Sequence, residues 1–379
     1  MIPTNPQRRD LVLRLGAAVA TIAVRPARAA EISAADYLTA TARVLAGLEP
    51  EVADDRFQRL TEQKAWRDQI SASRAGANIL RQRLATIDTW RRENLADNNG
   101  GGTLVYPFSG PDFVNAYAMF PDCDNYVFFS LEEPGAPPAL EQMEPAQLSR
   151  TLSDLRVALN DLVNLNFFIT PNMEQQVRTS RLRGITPVLM AMMALLDLRI
   201  ERFDTIELWP ERVDTIAALP ASKRPKLPMR AIQIDFARPA GGRMQKLWYF
   251  SLDVSDAQLT HYPEFVDWLR DFHDPIVLLK AASYLLHGEH FKQVRSFILD
   301  RASEIVQDDT GIPYRMLGNP WKVSLHGQYE QPVDLFKKRY QADLASAYSR
   351  SAVRKNVPFP FGYNWRTRGN SFVIVARRA

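Results

Sequence analysis

Residues 103–135 read TLVYPFSGPDFVNAYAMFPDCDNYVFFSLEEPG. Thr103 to Phe108 is short, apolar, β-branched and aromatic, the composition of a buried strand. Ser109-Gly110-Pro111-Asp112 turns the chain, and Phe113 to Phe120 reads as a short helix begun near Pro111 or Asp112. Asn125 to Leu131 is a second buried strand, closed by Glu132-Glu133-Pro134-Gly135. Strand, turn, helix, strand is a βαβ unit, and continuous apolar runs in place of alternation predict a sheet covered on both faces. The fold expected from this stretch is α/β.

Downstream segments extend the same architecture. Pro145 to Phe168 carries Leu148, Leu152, Leu155, Leu159 and Leu162 at helical spacing. Ile185 to Leu198 is apolar all round but too short to span a bilayer, so it reads as a core helix whose Met190, Met192 and Met193 pack. Ile200 to Leu208 is the next candidate strand, and residues 210–229 read as a loop excursion rich in Pro and Lys. Ala231–Phe236 and Lys246–Val254 flank a Gly-Gly turn and predict a β-hairpin, which makes the sheet mixed and mostly parallel. A helix begins at Asp256 or Thr260. Ile276 to Leu286 fits strand or helix, Phe291 to Val306 fits a helix, and Ile312 to Leu317 and Phe372 to Ala376 fit strands.

Upstream, residues 30–97 read as a helical region, with Ser33 capping the first helix and Trp66, Leu80, Ile87 and Trp90 on one side of a longer one. The Arg-rich opposite face is read as a solvated surface. Asn98-Asn99-Gly100-Gly101-Gly102 is a linker into the α/β domain, taken as residues 103–379.

Residues 1–29 have another character. Arg8-Arg9, an apolar stretch from Leu11 to Val24, and Ala27-Arg28-Ala29 follow the order of an export signal with an A-x-A cleavage site. The paired arginines point to the twin-arginine (Tat) translocon, which exports proteins already folded, and so to the bacterial periplasm. The full chain holds 47 Lys and Arg against 43 Asp and Glu. The segment contains five Arg and Asp10, so its removal leaves 42 of each. A neutral chain without a basic run is a poor nucleic-acid binder. The single cysteine, Cys123, forms no intramolecular disulfide and reads as a small buried apolar side chain. No transmembrane segment is expected in the mature chain.

Chemistry is expected where strands end. In open α/β sheets ligands lie beyond the carboxyl ends of the strands, where strand order reverses. That edge would present Tyr106, Ser109, Gly110, Asp112 and Glu132. Gly110 and Glu132 stand 22 positions apart, near the spacing between the glycine turn and the ribose-binding carboxylate of a dinucleotide fold. The unit thus resembles the opening of a Rossmann or class I methyltransferase domain. It lacks G-x-G-x-x-G, and Pro111 removes a backbone N–H that a phosphate would need. Asp112 is read most simply as a helix cap. Ser109 does not sit in a G-x-S-x-G elbow. No cofactor is identified; adenosyl and nicotinamide cofactors are not expected outside the cytoplasm unless carried out tightly bound.

All five histidines lie between residues 261 and 326. In HGEH, His287, Glu289 and His290 offer two imidazoles and a carboxylate that could ligate zinc or iron, although Gly288 also reads as a helix end. A further set of carboxylates, Asp253, Asp256, Asp308 and Asp309, with Lys280 and Tyr284, is compatible with acid–base work or with turns and caps.

The segments VYPFSGPDFVNAYAMFP, SLEEPG, LLKAASYLLH and IVQDDTGIPYRM together resemble an uncharacterised family of bacterial exported proteins. The resemblance implies only that the YPFSGPD, HGEH and QDDTGIP segments belong together. Three functions remain open from sequence: binding of a small molecule or envelope component, an envelope hydrolase assisted by metal, and a structural or interaction role.

Overall fold

The computed structural model describes residues 32–95, 101–165, 184–209, 212–215, 230–239, 241–351, 356–363 and 371–379. The export signal, most of the Gly-rich linker and most of the 210–229 excursion lie outside the described residues. Residues 32–379 form one compact unit.

Among the described residues the α-helices, in chain order, are α1 (Ala34–Leu45), α2 (Asp55–Thr61), α3 (Lys64–Asn94), α4 (Phe113–Met119), α5 (Pro145–Leu165), α6 (Thr186–Leu195), α7 (Asp256–Leu259), α8 (Pro263–Arg270), α9 (Lys292–Arg301) and α10 (Ala342–Arg350). The strands are β1 (Thr103–Pro107), β2 (Asn125–Ser130), β3 (Arg199–Trp209), β4 (Arg212–Thr215), β5 (Arg230–Ala237), β6 (Gln245–Ser251), β7 (Ile276–Leu279), β8 (Glu304–Gln307), β9 (Trp321–Gly327) and β10 (Phe372–Arg378). They make one ten-stranded sheet in the order β4-β3-β5-β6-β2-β1-β7-β8-β10-β9. The central strands β6, β2, β1, β7 and β8 are parallel, and the flanking pairs are antiparallel. The protein is α/β with a mixed sheet.

The chain builds outward from β1 to β2 and later β6, then returns to the other side of β1 for β7 and β8. Strand order therefore reverses between β1 and β7. Both faces of this centre are covered. Along β1, Leu104 and Tyr106 join the core under α1, α3, α4, α5 and α6, while Val105 joins the opposite core with residues of α8, α9 and α10. This two-sided burial explains the continuous apolar runs, since no side of the strand meets water. In α6 every residue from Thr186 to Ala194 is buried, as its all-round apolar sequence requires. Ser33 caps α1 by accepting the Asp36 N–H at 3.1 Å. No described helix is long and apolar enough to cross a membrane.

Three expectations are corrected, and one reading left open, Ile276–Leu286, is resolved. The helix expected over Phe291–Val306 ends at Arg301, and Glu304–Gln307 is β8. Its apolar residues suited both periods, and Ile305 and Val306 face opposite cores as only a strand allows. Ile312–Leu317 is no strand: Tyr314–Met316 makes a single 3-10 turn after Pro313. Ile276–Leu286 divides, with β7 ending at Leu279. The residues 212–215 pair with β3, where a loop was expected.

Candidate functional site

A cavity of about 260 Å³ opens at the carboxyl ends of β1, β2, β6 and β7. It sits where strand order reverses, the position at which open α/β sheets bind ligands. All five residues expected from sequence, Tyr106, Ser109, Gly110, Asp112 and Glu132, line it, with Lys280 and Asp253.

The loop after β1 bends through two left-handed residues, Phe108 (φ 58°) and Gly110 (φ 51°). Phe108 N–H donates to Phe129 O at 2.8 Å, which ties the loop to β2. Asp112 stands at the head of α4, yet its carboxylate makes no capping bond; the expectation of a simple cap is corrected. Its Oδ2 receives Lys280 Nζ at 2.6 Å and the Tyr106 hydroxyl at 2.9 Å, and its Oδ1 receives Asn115 Nδ2 at 2.7 Å. Three donors, from β1, α4 and the end of β7, thus converge on one carboxylate. Burial lowers the pKa of Lys280, and the Asp112 carboxylate opposes that shift. Ser109 is only 5% exposed, and its hydroxyl has no hydrogen-bond partner among the described residues.

The loop after β7 is strained. Ala281, Ser283 and Tyr284 all have φ between 53° and 57°, a region that non-glycine residues occupy at a cost and mostly where function demands it. The end of β8 holds this loop in place. Asp308 Oδ2 accepts the Ala281 N–H at 2.9 Å, Thr310 Oγ1 accepts the Ala282 N–H at 2.6 Å, and Tyr284 donates its hydroxyl to Asp309. Tyr363 donates to Ala281 O at 2.9 Å and bonds Ser283 Oγ at 2.9 Å. Burial, reinforced by the neighbouring Asp308 charge, raises the pKa of Asp309 to about 8. Burial also raises that of Asp308.

At the end of β2, Glu132 is buried with its Oε2 3.2 Å from the Tyr249 hydroxyl, which also donates to Glu132 O at 3.0 Å. The Tyr249 proton is held well above its ordinary pKa by burial and by this carboxylate. Asp253, after β6, is exposed and turns to accept the Ser255 N–H at 2.9 Å. Since Asp112 answers the Lys280 charge, Glu132 and Asp253 leave the wall acidic.

The HGEH residues do not converge. Leu285–His287 is a 3-10 turn capped at Gly288. His287 is half-buried, and burial with the Arg315 and Arg339 charges depresses its pKa to about 4. Glu289 is exposed and pairs with Lys292 at 2.8 Å, and His290 is exposed. Among the described residues no group of three or more His, Cys, Asp and Glu is placed to hold a metal ion. Asp256 does structural work, receiving the Lys292 and Gln293 N–H groups at the start of α9 at 3.0 and 2.8 Å. Cys123 is buried, and burial pushes its thiol up to about 12.

Sequence reading named Lys280 without joining it to the YPFSGPD loop, and it joined Asp308 and Asp309 to that loop only through the resemblance that groups QDDTGIP with YPFSGPD. The available signal was position: each follows an apolar run that proves to be a central parallel strand. Comparison with protein-family models, with curated proteins and with solved structures found no match.

Proposed function

We propose that this chain is an exported protein that binds a small ribose-bearing molecule without phosphate, of the nucleoside class, in the crevice between β1 and β7. The observation that carries the reading is the coincidence of the cavity with the reversal of strand order, with Glu132 at the end of β2 on its wall. A carboxylate there is the usual acceptor for ribose hydroxyls in dinucleotide folds. The parallel order β6-β2-β1-β7-β8 supports a Rossmann-like kinship. The antiparallel β10 between β8 and β9 closes that side of the sheet. Fold analogy ranks ligands and does not assign a reaction.

Charge narrows the ligand. Phosphate recognition needs free N–H groups and positive charge at the loop after β1. Here Pro111 lacks an N–H, Lys280 is engaged by Asp112, and the wall is acidic. Neutral and cationic nucleosides, including sulfonium forms such as S-adenosylmethionine, suit this wall better than ATP or NAD. Export after folding would let the protein leave the cytoplasm with such a ligand bound.

A thermal-shift panel of adenosine, S-adenosylmethionine, S-adenosylhomocysteine, NAD and ATP tests the ligand class. Stabilisation by the phosphate-free members alone agrees with it; stabilisation by ATP and NAD alone refutes it. Export is tested by replacing Arg8 and Arg9 with Lys, which should leave the protein in the cytoplasm with residues 1–29 attached.

A further inference from the structure

Residues 334–340 read DLFKKRY and stand apart in character from the rest of the surface. Asp334–Arg339 forms a 3-10 turn with a kink at Phe336. Phe336 faces inward, its ring 5.1 Å from Tyr284 and 5.7 Å from Tyr363. Tyr363 lines the crevice, so the turn is seated on the crevice rim. Its neighbours face outward. Leu335 is 83% exposed and Tyr340 52% exposed, and Lys337, Lys338 and Arg339 between them are exposed as well.

A lone exposed leucine needs no explanation. Here a nearly bare Leu and a half-bare Tyr bracket three consecutive cations on a turn that Phe336 packs against Tyr284 and Tyr363. Exposed Arg315 adds a fourth, since its charge and that of Arg339 both act on His287. The opposing carboxylates close by are Glu330, Asp334 and Asp343, all exposed, and Glu330 accepts from the neutral Gln328 amide at 2.7 Å. Four cations against three carboxylates leave the turn positive by one, with three of the cations consecutive. A protein partner would need a pocket shaped for one leucine amid four cations. A lipid interface needs no such complement: it accepts a single aliphatic side chain, favours tyrosine at headgroup level, and attracts Lys and Arg when its lipids are anionic.

We propose that the 334–340 turn seats the protein on an anionic lipid surface, with Leu335 entering the interface and Lys337, Lys338 and Arg339 on the headgroups. The crevice mouth then lies beside the bilayer.

Co-sedimentation of the full chain with phosphatidylcholine vesicles, with and without phosphatidylglycerol, tests it. Binding should require phosphatidylglycerol and weaken as salt rises. Lys337→Glu with Lys338→Glu should lower the partition coefficient about tenfold or more, and Leu335→Ser should lower it several-fold. Lys337→Gln with Lys338→Gln should fall between wild type and the charge reversal. These side chains are exposed, so melting temperatures should not move. All variants keep the N-terminal arginines; undiminished binding by the variants would assign the attraction to residues 1–29 and overturn the proposal. So would absence of binding by the wild type, equal binding to both vesicles, or binding to polyglutamate without binding to vesicles.

Discussion

Lys280 Nζ lies 2.6 Å from Asp112 Oδ2, with both side chains almost wholly buried. The pair joins the end of β7 to the loop after β1 across the reversal of strand order, and it forms the polar floor of the crevice.

Breaking that pair from one side should be costly, because the remaining charge stays buried without its partner. Lys280→Met is expected to lower unfolding stability by about 3–5 kcal/mol in urea titrations. Adding Asp112→Asn should recover most of that loss. Near-neutral single variants, or strictly additive ones, would show that water reaches the floor and answers each charge.

Ser109→Ala should separate stability from binding. Its hydroxyl is buried without a partner among the described residues, so removing it relieves a desolvation cost and should stabilise the free protein by up to about 1 kcal/mol. If the hydroxyl waits for a ligand, the same variant loses affinity about tenfold. A destabilised Ser109→Ala protein would mean that the hydroxyl already has a structural partner.

The buried carboxylates predict a pH signature. Asp309 titrates near 8 when folded and near its ordinary value of 3.8 when unfolded. Between these values the folded state binds the extra proton, so its contribution to stability is lost as pH rises toward 8. His287 acts in the opposite sense: its folded pKa is about 4 against an ordinary 6.5, so its contribution is lost as pH falls below about 6.5. The two oppose each other at low pH, which leaves the Asp309 slope most visible between about pH 6.5 and 8. Melting temperature should fall across that window in the wild type and stay nearly flat in Asp309→Asn. A slope that survives the substitution would assign the proton to another group.

Gly362 has φ +67°, and a Cβ there would collide with the Asp308 carboxylate. Gly362→Ala should cost about 2 kcal/mol or more through both the left-handed backbone and the collision. Because Asp308 holds the Ala281 N–H, ligand affinity should fall with it. An unchanged melting temperature would show that the segment shifts freely away from β8.

The sheet was legible where strands are buried on both faces. TLVYPF and NYVFFS have no helical period, and the turn residues between them have one plausible use. Where a strand follows a helix without punctuation, as Glu304–Gln307 follows α9, apolar periodicity serves both readings and the boundary is lost. β9, WKVSLHG, escaped because its exposed polar residues dilute the apolar signal at the sheet edge. The five crevice residues were legible from the rule that places ligands at strand ends. The Lys280–Asp112 bond was not, since it spans 168 positions and nothing local to either residue points to the other. HGEH misled for the converse reason: its residues are close in sequence, but Gly288 ends the turn and sends Glu289 and His290 to solvent.

The most direct measurement is calorimetric titration of adenosine and S-adenosylmethionine, with ATP for comparison, into wild-type protein and Glu132→Gln. A ribose held by the Glu132 carboxylate should give saturable binding of at least one phosphate-free nucleoside, weakened about tenfold in Glu132→Gln, with ATP bound more weakly. Absence of nucleoside binding, affinity unchanged in Glu132→Gln, or tighter binding of ATP would contradict the nucleoside reading of the crevice.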